Sequence, residues 1–317
     1  MGPVIDDETM PLFLINGFLE AGKTQFLQFT MGQDYFQAEG KTLLICCEEG
    51  DTEYDPELLK KTNTILVNVE SMDEISPERL TELELLHNPE RVLMEWNGMW
   101  NQDELKLPDD WTIYQQITII DGSTFPMYYT NMRSLLAEMV KKSEMIIFNR
   151  CDNVSDLNSY KRNIKAVNPS ADVIFEDANG EIDEILEEDL PYDLKQDTLV
   201  LDNNGYGIWY LDCMDHLERY IGKTVEFTGM VLKPDGMKKG YFVPGRMAMT
   251  CCAEDMAFLG YACEFPGAEA LKQKEWVRVK AKVSKEYWAD YKGEGPMLHA
   301  ILVEKTKAPK DPVISFN

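Results

Sequence analysis

No stretch of this sequence is apolar for the roughly 20 residues that a helix needs to cross a bilayer, so a helical membrane protein is not expected. A basic surplus is missing as well. Lys and Arg number 31 against 56 Asp and Glu, a formal net charge of −25. Nucleic acid and anionic lipid are bound through clustered Lys and Arg, which excludes a general surface for either. The acidity reads first as solubility and second as an affinity for cations or basic partners. Met1 to Asp7 carries neither the basic nor the apolar region of a signal peptide, so the expected location is the cytoplasm. There is no C-x-x-C pair, and 7 Cys is an odd count in 317 residues, so free thiols are expected and not a disulfide framework. Histidine is scarce, at 3: His87 and His216 read as surface residues of helices, and His299 stays open as a ligand. No internal repeat or low-complexity tract occurs, and nothing indicates an oligomeric state.

What is present is ample core material, at 44% hydrophobic and 27% charged, enough for two domains. In the first half, apolar runs at Leu12–Ile15, Thr42–Cys47, Thr64–Val69, Arg91–Met94, Ile117–Ile120 and Met145–Phe148 alternate with helix-like stretches such as Pro77–Leu86 and Ser134–Lys142. That order predicts an α/β fold with a mainly parallel sheet flanked by helices, to which Asp172–Phe175 adds a last strand. Glu176 to Asp193 holds nine acids and no Lys or Arg, with Ile182, Ile185, Leu186 and Leu190 at helical spacing, which predicts a short helix and linker. From about Thr198 the texture changes. A helix-like stretch at Leu211–Tyr220 precedes β-patterned runs at Thr224–Leu232, Tyr241–Val243, Ala248–Cys252, Trp276–Val283 and Met297–Val303, with Gly and Pro between them. These predict a small all-β, OB-like barrel. The expected organisation is a first domain over 1–178, an acidic helix and linker over 179–197, and the barrel over 198–317.

The most specific segment is Leu12 to Thr24. An apolar run ends in Gly17-Phe18-Leu19-Glu20-Ala21-Gly22-Lys23-Thr24, the pattern G-x-x-x-x-G-K-T, and a helix-compatible run follows. A strand, this loop and a helix make a P-loop. Gly17 and Gly22 allow a tight turn and close approach to a polyphosphate. The N–H groups of the loop (Glu20, Ala21, Gly22) and of the helix N-terminus (Lys23, Thr24, Gln25) then face negative charge. Lys23 would reach the β/γ-phosphates and the Thr24 hydroxyl would hold Mg²⁺. A second element is Met145 to Asp152, a strand ending in N-x-x-D. The Asp152 carboxylate suits the guanine N1–H and 2-amino donors, which adenine lacks. Asn149 precedes it, and Arg150 stands where a Lys is usual, with a planar guanidinium able to cover a base. The third element is Arg91 to Gly98, in which Glu95 could orient a Mg²⁺ water or the attacking water and the Gly98 N–H could contact a γ-phosphate.

Over about Pro11 to Val173 these elements resemble the CobW/HypB/UreG-type metallochaperone GTPases, the CobW-like branch most. The loop looks like that branch's G-F-L-G-[SA]-G-K-T, with Glu20 in place of a Gly. Cys47-Glu48-Glu49-Gly50 through Asp55 is similar to its N-E-F-G-x-x-x-x-D switch segment, with Glu48 as a residue toward Mg²⁺. Glu95 to Gly98 matches E-x-x-G, Ile119-Ile120-Asp121 matches V-V-D, and Asn149 to Asp152 matches N-K-x-D. The resemblance implies a P-loop GTPase that slowly hydrolyses GTP to GDP and phosphate, with Lys23, Glu95 and Gly98 as its catalytic residues. It also implies handling of a transition metal, zinc or cobalt, and a client protein that receives it. The family's C-x-C-C motif has no counterpart in Ile65 to Glu70. The nearest thiols, Cys46 and Cys47, are adjacent on a strand and so are expected on opposite faces.

In the second half, Phe242 to Met256 with Leu259 to Glu264 resembles the soluble C-terminal domain of YcgQ-type proteins, which accompany predicted permeases, over about Asp215 to Val303. Arg246, the run Cys251-Cys252-Ala253-Glu254-Asp255 and Gly260 carry this likeness. Cys251, Cys252 and Cys263 are the best candidate thiolate ligands, with Asp255, Glu254 or His299 to complete a four-coordinate site. The other readings of these thiols are redox or thiol chemistry and a β-bend packed with small buried side chains. Two rivals to the metal-handling GTPase stay open: a nucleotide-gated adaptor that binds a protein through the barrel without metal, and an ATP-using or non-hydrolysing P-loop protein, which the Glu20 and Arg150 departures permit.

Overall fold

The computed structural model describes residues 9–48, 50–182, 190–249 and 256–314. The helix expected around Ile185, Leu186 and Leu190, the thiols Cys251 and Cys252, and Glu49, Glu254 and Asp255 thus lie wholly or largely outside the described residues. By its contacts the chain divides into two units, Met1–Leu157 with Ser170–Glu184, and Asn158–Pro169 with Ile185–Asn317.

The first unit runs β1 (Met10–Asn16), α1 (Lys23–Met31), β2 (Lys41–Cys46), α2 (Pro56–Lys61), β3 (Thr64–Asn68), α3 (Pro77–His87), β4 (Pro89–Glu95), β5 (Trp111–Asp121), α4 (Phe125–Asn131), α5 (Arg133–Lys141) and β6 (Met145–Asn149). The next helix, α6 (Leu157–Val167), falls with the second unit in all but its first residue. The chain then returns to the first unit with β7 (Asp172–Asp177) and β8 (Gly180–Glu181). Its sheet has the order β3-β2-β4-β1-β5-β6-β7-β8. Every pair is parallel except the terminal β7–β8 hairpin. The apolar runs are continuous because a parallel sheet is covered on both faces. Alternate residues feed two separate clusters. Leu12, Leu14, Leu43, Ile45, Val92 and Met94 pack with Leu80 and Leu83 of α3, whereas Ile15, Leu44, Leu93 and Ile117 pack with Leu27 and Met31 of α1. Strand β5 is longer than the expected Ile117–Ile120. Its early polar residues do not break it, because buried Gln116 exchanges amide hydrogen bonds with Gln102 at 2.7 and 3.1 Å.

The second unit holds β9 (Thr198–Val200), α7 (Asn203–Asp215), β10 (Thr224–Leu232), β11 (Tyr241–Met249), β12 (Met256–Gly260), β13 (Cys263–Glu264), β14 (Trp276–Trp288), β15 (Gly293–Lys305) and β16 (Val313–Ile314). Hydrogen bonding passes from β10 to β11, from β11 to β13, from β13 to β15 in parallel, from β15 to β14, and from β14 back to β10. Two expectations are corrected here. The helix starts at Asn203, not near Leu211, because Asp202 caps it by accepting the Gly205 N–H at 2.7 Å and because Tyr206 and Trp209 bury completely. The runs Tyr241–Val243 and Ala248–Cys252 belong to one strand through Met249. Pro244 and Gly245 lie inside it, where β11 passes from β13 to β12 on one side and from β10 to β16 on the other.

Arg246 of β11 is 2% exposed. Its guanidinium donates to Asn203 Oδ1 at 2.8 Å and to the carbonyls of Asp311 at 2.6 Å and of Thr228 and Pro312 at 3.4 Å. Among the described residues, carbonyl and amide oxygens solvate this buried cation, and burial lowers its pKa. The bonds tie the segment that leads into β16 against β11.

Candidate functional site

The site is built where β1 turns into α1. Gly22 caps that helix with φ 99° and no side-chain hydrogen bond, so the first-turn N–H groups are left to a ligand. That positive φ is what requires glycine at Gly22, where a Cβ would also lie 2.6 Å from Asn149 Nδ2. Glu20, where the family pattern has a glycine, also adopts a left-handed conformation, φ 62°. Gly98, three residues past the end of β4, packs on the loop's first glycine: a Cβ there would sit 2.3 Å from the Gly17 carbonyl oxygen.

Lys23 is 2% exposed. It donates to the carbonyls of Gly17 and Phe18, both at 2.9 Å, and to the Glu48 carboxylate. Burial raises the Glu48 pKa, and Lys23 offsets only part of that. Thr24 Oγ1 donates to Glu95 Oε1 at 2.8 Å, and the second oxygen of Glu95 accepts the hydroxyl of Tyr54. Thus Thr24 is joined to Glu95, while Glu48, expected beside Thr24, is set against Lys23. Tyr54 was not legible as a site residue; the one hint is that it is the sole apolar side chain among Glu48 to Asp55.

At the other end of the loop, Asn149 Nδ2 donates to the Ala21 carbonyl at 2.7 Å, and its Oδ1 is buried with no partner among the described residues. Arg150, also left-handed at φ 54°, donates to the Glu20 carbonyl at 2.9 Å, to Asp121 Oδ2 at 2.6 Å and to Gln25 Oε1 at 3.4 Å. Burial pushes the Asp121 carboxyl up, but hydrogen bonds from Ser123 and Arg150 outweigh it and hold the pKa low. Asp152 Oδ1 accepts the Ala178 N–H at 3.0 Å, a contact with the turn after β7 that the sequence did not disclose. Between these ends lies an open cleft lined by Leu19, Gly22, Lys23, Thr24, Glu48 and Arg150, among others.

A nucleoside triphosphate with Mg²⁺ fits these residues. The helix N-terminus and Lys23 could supply the positive end, and Thr24 and Glu48 could supply hard oxygen donors of the kind Mg²⁺ takes. Among the described residues the thiols do not assemble. Cys46 and Cys47 belong to the two different clusters, on opposite faces as the strand period requires. Burial, with Glu95 adding, pushes the Cys46 thiol up to about 11, and burial raises Cys47 further. Cys263 is fully buried and pairs with Phe242, seven positions along β11 from Met249, or about 23 Å of ladder. Among the described residues, no three His, Cys, Asp or Glu are grouped as a metal site. His299 bonds Glu264 Oε2 at 2.8 Å and Glu286 Oε1 at 2.6 Å through its two ring nitrogens.

Comparison with known proteins gives the two halves separate kin. The family described as DUF1980 C-terminal domain matches residues 178–315. The UPF0703 protein YcgQ of Bacillus subtilis (strain 168) is 27% identical over 95 residues, covering 30% of this chain and 33% of that protein; the chain therefore spans about a third of this relative's length. Among solved structures, Zn(II)-bound YjiA GTPase from E. coli is similar at TM-score 0.43 and 15% identity over 82% of this chain and 90% of that one. The hydrogenase maturation factor HypB from Archaeoglobus fulgidus is similar at TM-score 0.40 and 16% identity over 55% and 83%. The family described as CobW/HypB/UreG, nucleotide-binding domain, matches residues 11–175, more than half of the chain, and the chain belongs to that family.

Proposed function

We propose that this protein binds GTP with Mg²⁺, hydrolyses it slowly to GDP and phosphate, and couples the nucleotide state to handling of a transition metal, zinc or cobalt, for a client protein. The observation that carries the nucleotide reading is the constellation at one loop: Lys23 beneath the P-loop, Thr24 joined to Glu95, and Asn149 and Arg150 clamping Ala21 and Glu20. Lys23, released from Glu48, neutralises the β/γ-phosphates, and the N–H groups from Glu20 to Gln25 receive their oxygens. Thr24, with Glu48, would hold Mg²⁺, which when bound would offset phosphate charge. Glu95 orients the attacking water, the Gly98 N–H approaches the γ-phosphate, and Asp152 reads guanine. The closed pairing from β10 through β11, β13, β15 and β14, with β13 and β15 parallel, supports an OB-like barrel for the second unit. Metal handling rests on family membership. The candidate transition-metal ligands of this reading are Cys251, Cys252 and Cys263, of which Cys263 is fully buried.

The test is metal content and affinity of the purified protein with and without a non-hydrolysable GTP analogue and Mg²⁺, together with GTP-versus-ATP competition. Binding of zinc or cobalt that depends on nucleotide and is lost in Cys251→Ser/Cys252→Ser supports the reading. GTP binding with no metal in either state leaves the nucleotide-gated adaptor instead.

A further inference from the structure

The Glu95 carboxylate is 3% exposed and both of its oxygens are engaged. Oε1 accepts the Thr24 hydroxyl at 2.8 Å, from the first turn of α1. Oε2 accepts the Tyr54 hydroxyl, from the segment between β2 and α2, and lies 3.9 Å from the Cys46 sulfur. Tyr54 is itself 8% exposed. Its ring belongs to the apolar cluster that holds Ala21, Leu27, Leu44 and Cys46, so the phenol is presented to Glu95 from a packed base. One residue later Asp55 caps α2 by accepting the Glu57 N–H at 2.9 Å, and its own N–H donates to Gln28 Oε1 of α1 at 2.7 Å. On the other side, Gln28 Nε2 donates to the Glu53 carbonyl at 3.4 Å, so the Gln28 amide holds the backbone on both sides of Tyr54. Burial, then the Glu95 charge, keeps the phenol protonated, so it is a donor at any working pH.

We propose that Tyr54 is a positioning residue for nucleotide hydrolysis, holding one oxygen of Glu95 so that the carboxylate keeps the orientation in which it directs the attacking water. The inference deepens the proposed function and rests on the assignment of Glu95 to that water. In the step concerned, the water oxygen bonds to the γ-phosphorus, the bond from that phosphorus to the β–γ bridging oxygen breaks with its electron pair staying on GDP, and the water's proton ends on the released phosphate. Tyr54 takes no part in that exchange. A carboxylate held at one point by Thr24 alone can rotate about its own axis; a second donor on the other oxygen stops the rotation, and misorientation is costly in rate.

The test is single-turnover hydrolysis at saturating GTP and Mg²⁺ for the wild type, Tyr54→Phe, Glu95→Gln and the double variant, with affinity for a fluorescent non-hydrolysable GTP analogue measured on each, with and without Mg²⁺. Tyr54→Phe keeps the packed ring and removes only the hydroxyl. The expected result is a rate loss of about 10- to 100-fold, the size of a hydrogen bond to a charged group, with analogue affinity within about twofold of wild type. In the double variant the loss should not exceed that of Glu95→Gln alone, because both substitutions remove one unit. Wild-type rate in Tyr54→Phe with a crippled Glu95→Gln overturns the role of Tyr54 and leaves Glu95 standing. Wild-type rate in Glu95→Gln, or a wild type that binds GTP without turning it over, overturns the reading of Glu95 and this inference with it. A rate loss matched by an equal loss of analogue affinity also overturns it, since the phenol would then be shaping the cleft and not the step.

Discussion

Gly98 and Gly17 touch backbone to backbone, and this contact explains why the acid-bearing strand end and the P-loop must be read together. A methyl group at Gly98 would meet the Gly17 carbonyl carbon at 2.8 Å and its oxygen at 2.3 Å, and that same oxygen accepts the Lys23 ammonium. Neither atom can step aside as a flexible side chain could. Gly98→Ala is therefore expected to cost about 1–3 kcal/mol of stability and to weaken nucleotide binding at least tenfold, read by thermal denaturation and by titration with a fluorescent GTP analogue. At this scale the sequence was legible where the chemistry is local. The glycines, Lys23 and Thr24 lie within one loop, and the N-x-x-D run sits at one strand end. Tyr54 was hidden because its partner, Glu95, is 41 residues away and meets it only through the order of the parallel strands. The Asp152 contact to Ala178 was hidden for the same reason, at 26 residues.

Among the elements, strands buried on both faces announce themselves as apolar runs, and β1 to β4, β6 and β7 lie where those runs predict. Elements that depend on tertiary support do not. Helix α7 begins among Gly205 and Gly207, poor helix formers, and is held by its Asp202 cap and by the burial of Tyr206 and Trp209. Strand β11 carries Pro244 and Gly245 because its partners change at that point. His299 shows how three strands of the second unit are joined. It lies on β15 and bonds Glu264 of β13 and Glu286 of β14, while Ser284 approaches its Nε2 at 3.0 Å and Lys282 stands opposite in register. Burial lowers its pKa, but the two carboxylates outweigh that and raise it. A raised folded-state value means that the protonated ring stabilises the fold. The contribution is complete below the unfolded value of about 6.5 and is lost as pH climbs through the folded one. His299→Gln should thus lower stability below pH 6.5 and leave it unchanged in alkali. Because the ring is 38% exposed, the difference should stay near ~0.5–1 kcal/mol in denaturant titrations run across pH.

Across the whole molecule the dominant physical fact is charge. A net −25 makes the folded chain repel itself, and added salt screens that repulsion within about 10 Å at 0.1 M. The melting temperature should therefore rise by a few degrees, about 2–5 °C, between low salt and 0.3 M NaCl. An unchanged or falling value would mean that ion pairs such as Arg150–Asp121 and Lys165–Asp215 outweigh the surplus. The sequence changes texture near Thr198, whereas the contact units part at Glu184 and Ile185 and the second takes in 158–169, most of α6, which lies inside the sequence of the first. The Arg246 latch adds a matter of timing. Its guanidinium depends on the carbonyls of Asp311 and Pro312, which lie 65 and 66 residues further along the chain. A ribosome delivers residues in order, so β11 emerges with Asn203 and Thr228 in hand but without the two later carbonyls. Two of the four oxygens that solvate this cation thus arrive only after the rest of the sheet has been made, which ties the burial of Arg246 to the arrival of that later segment.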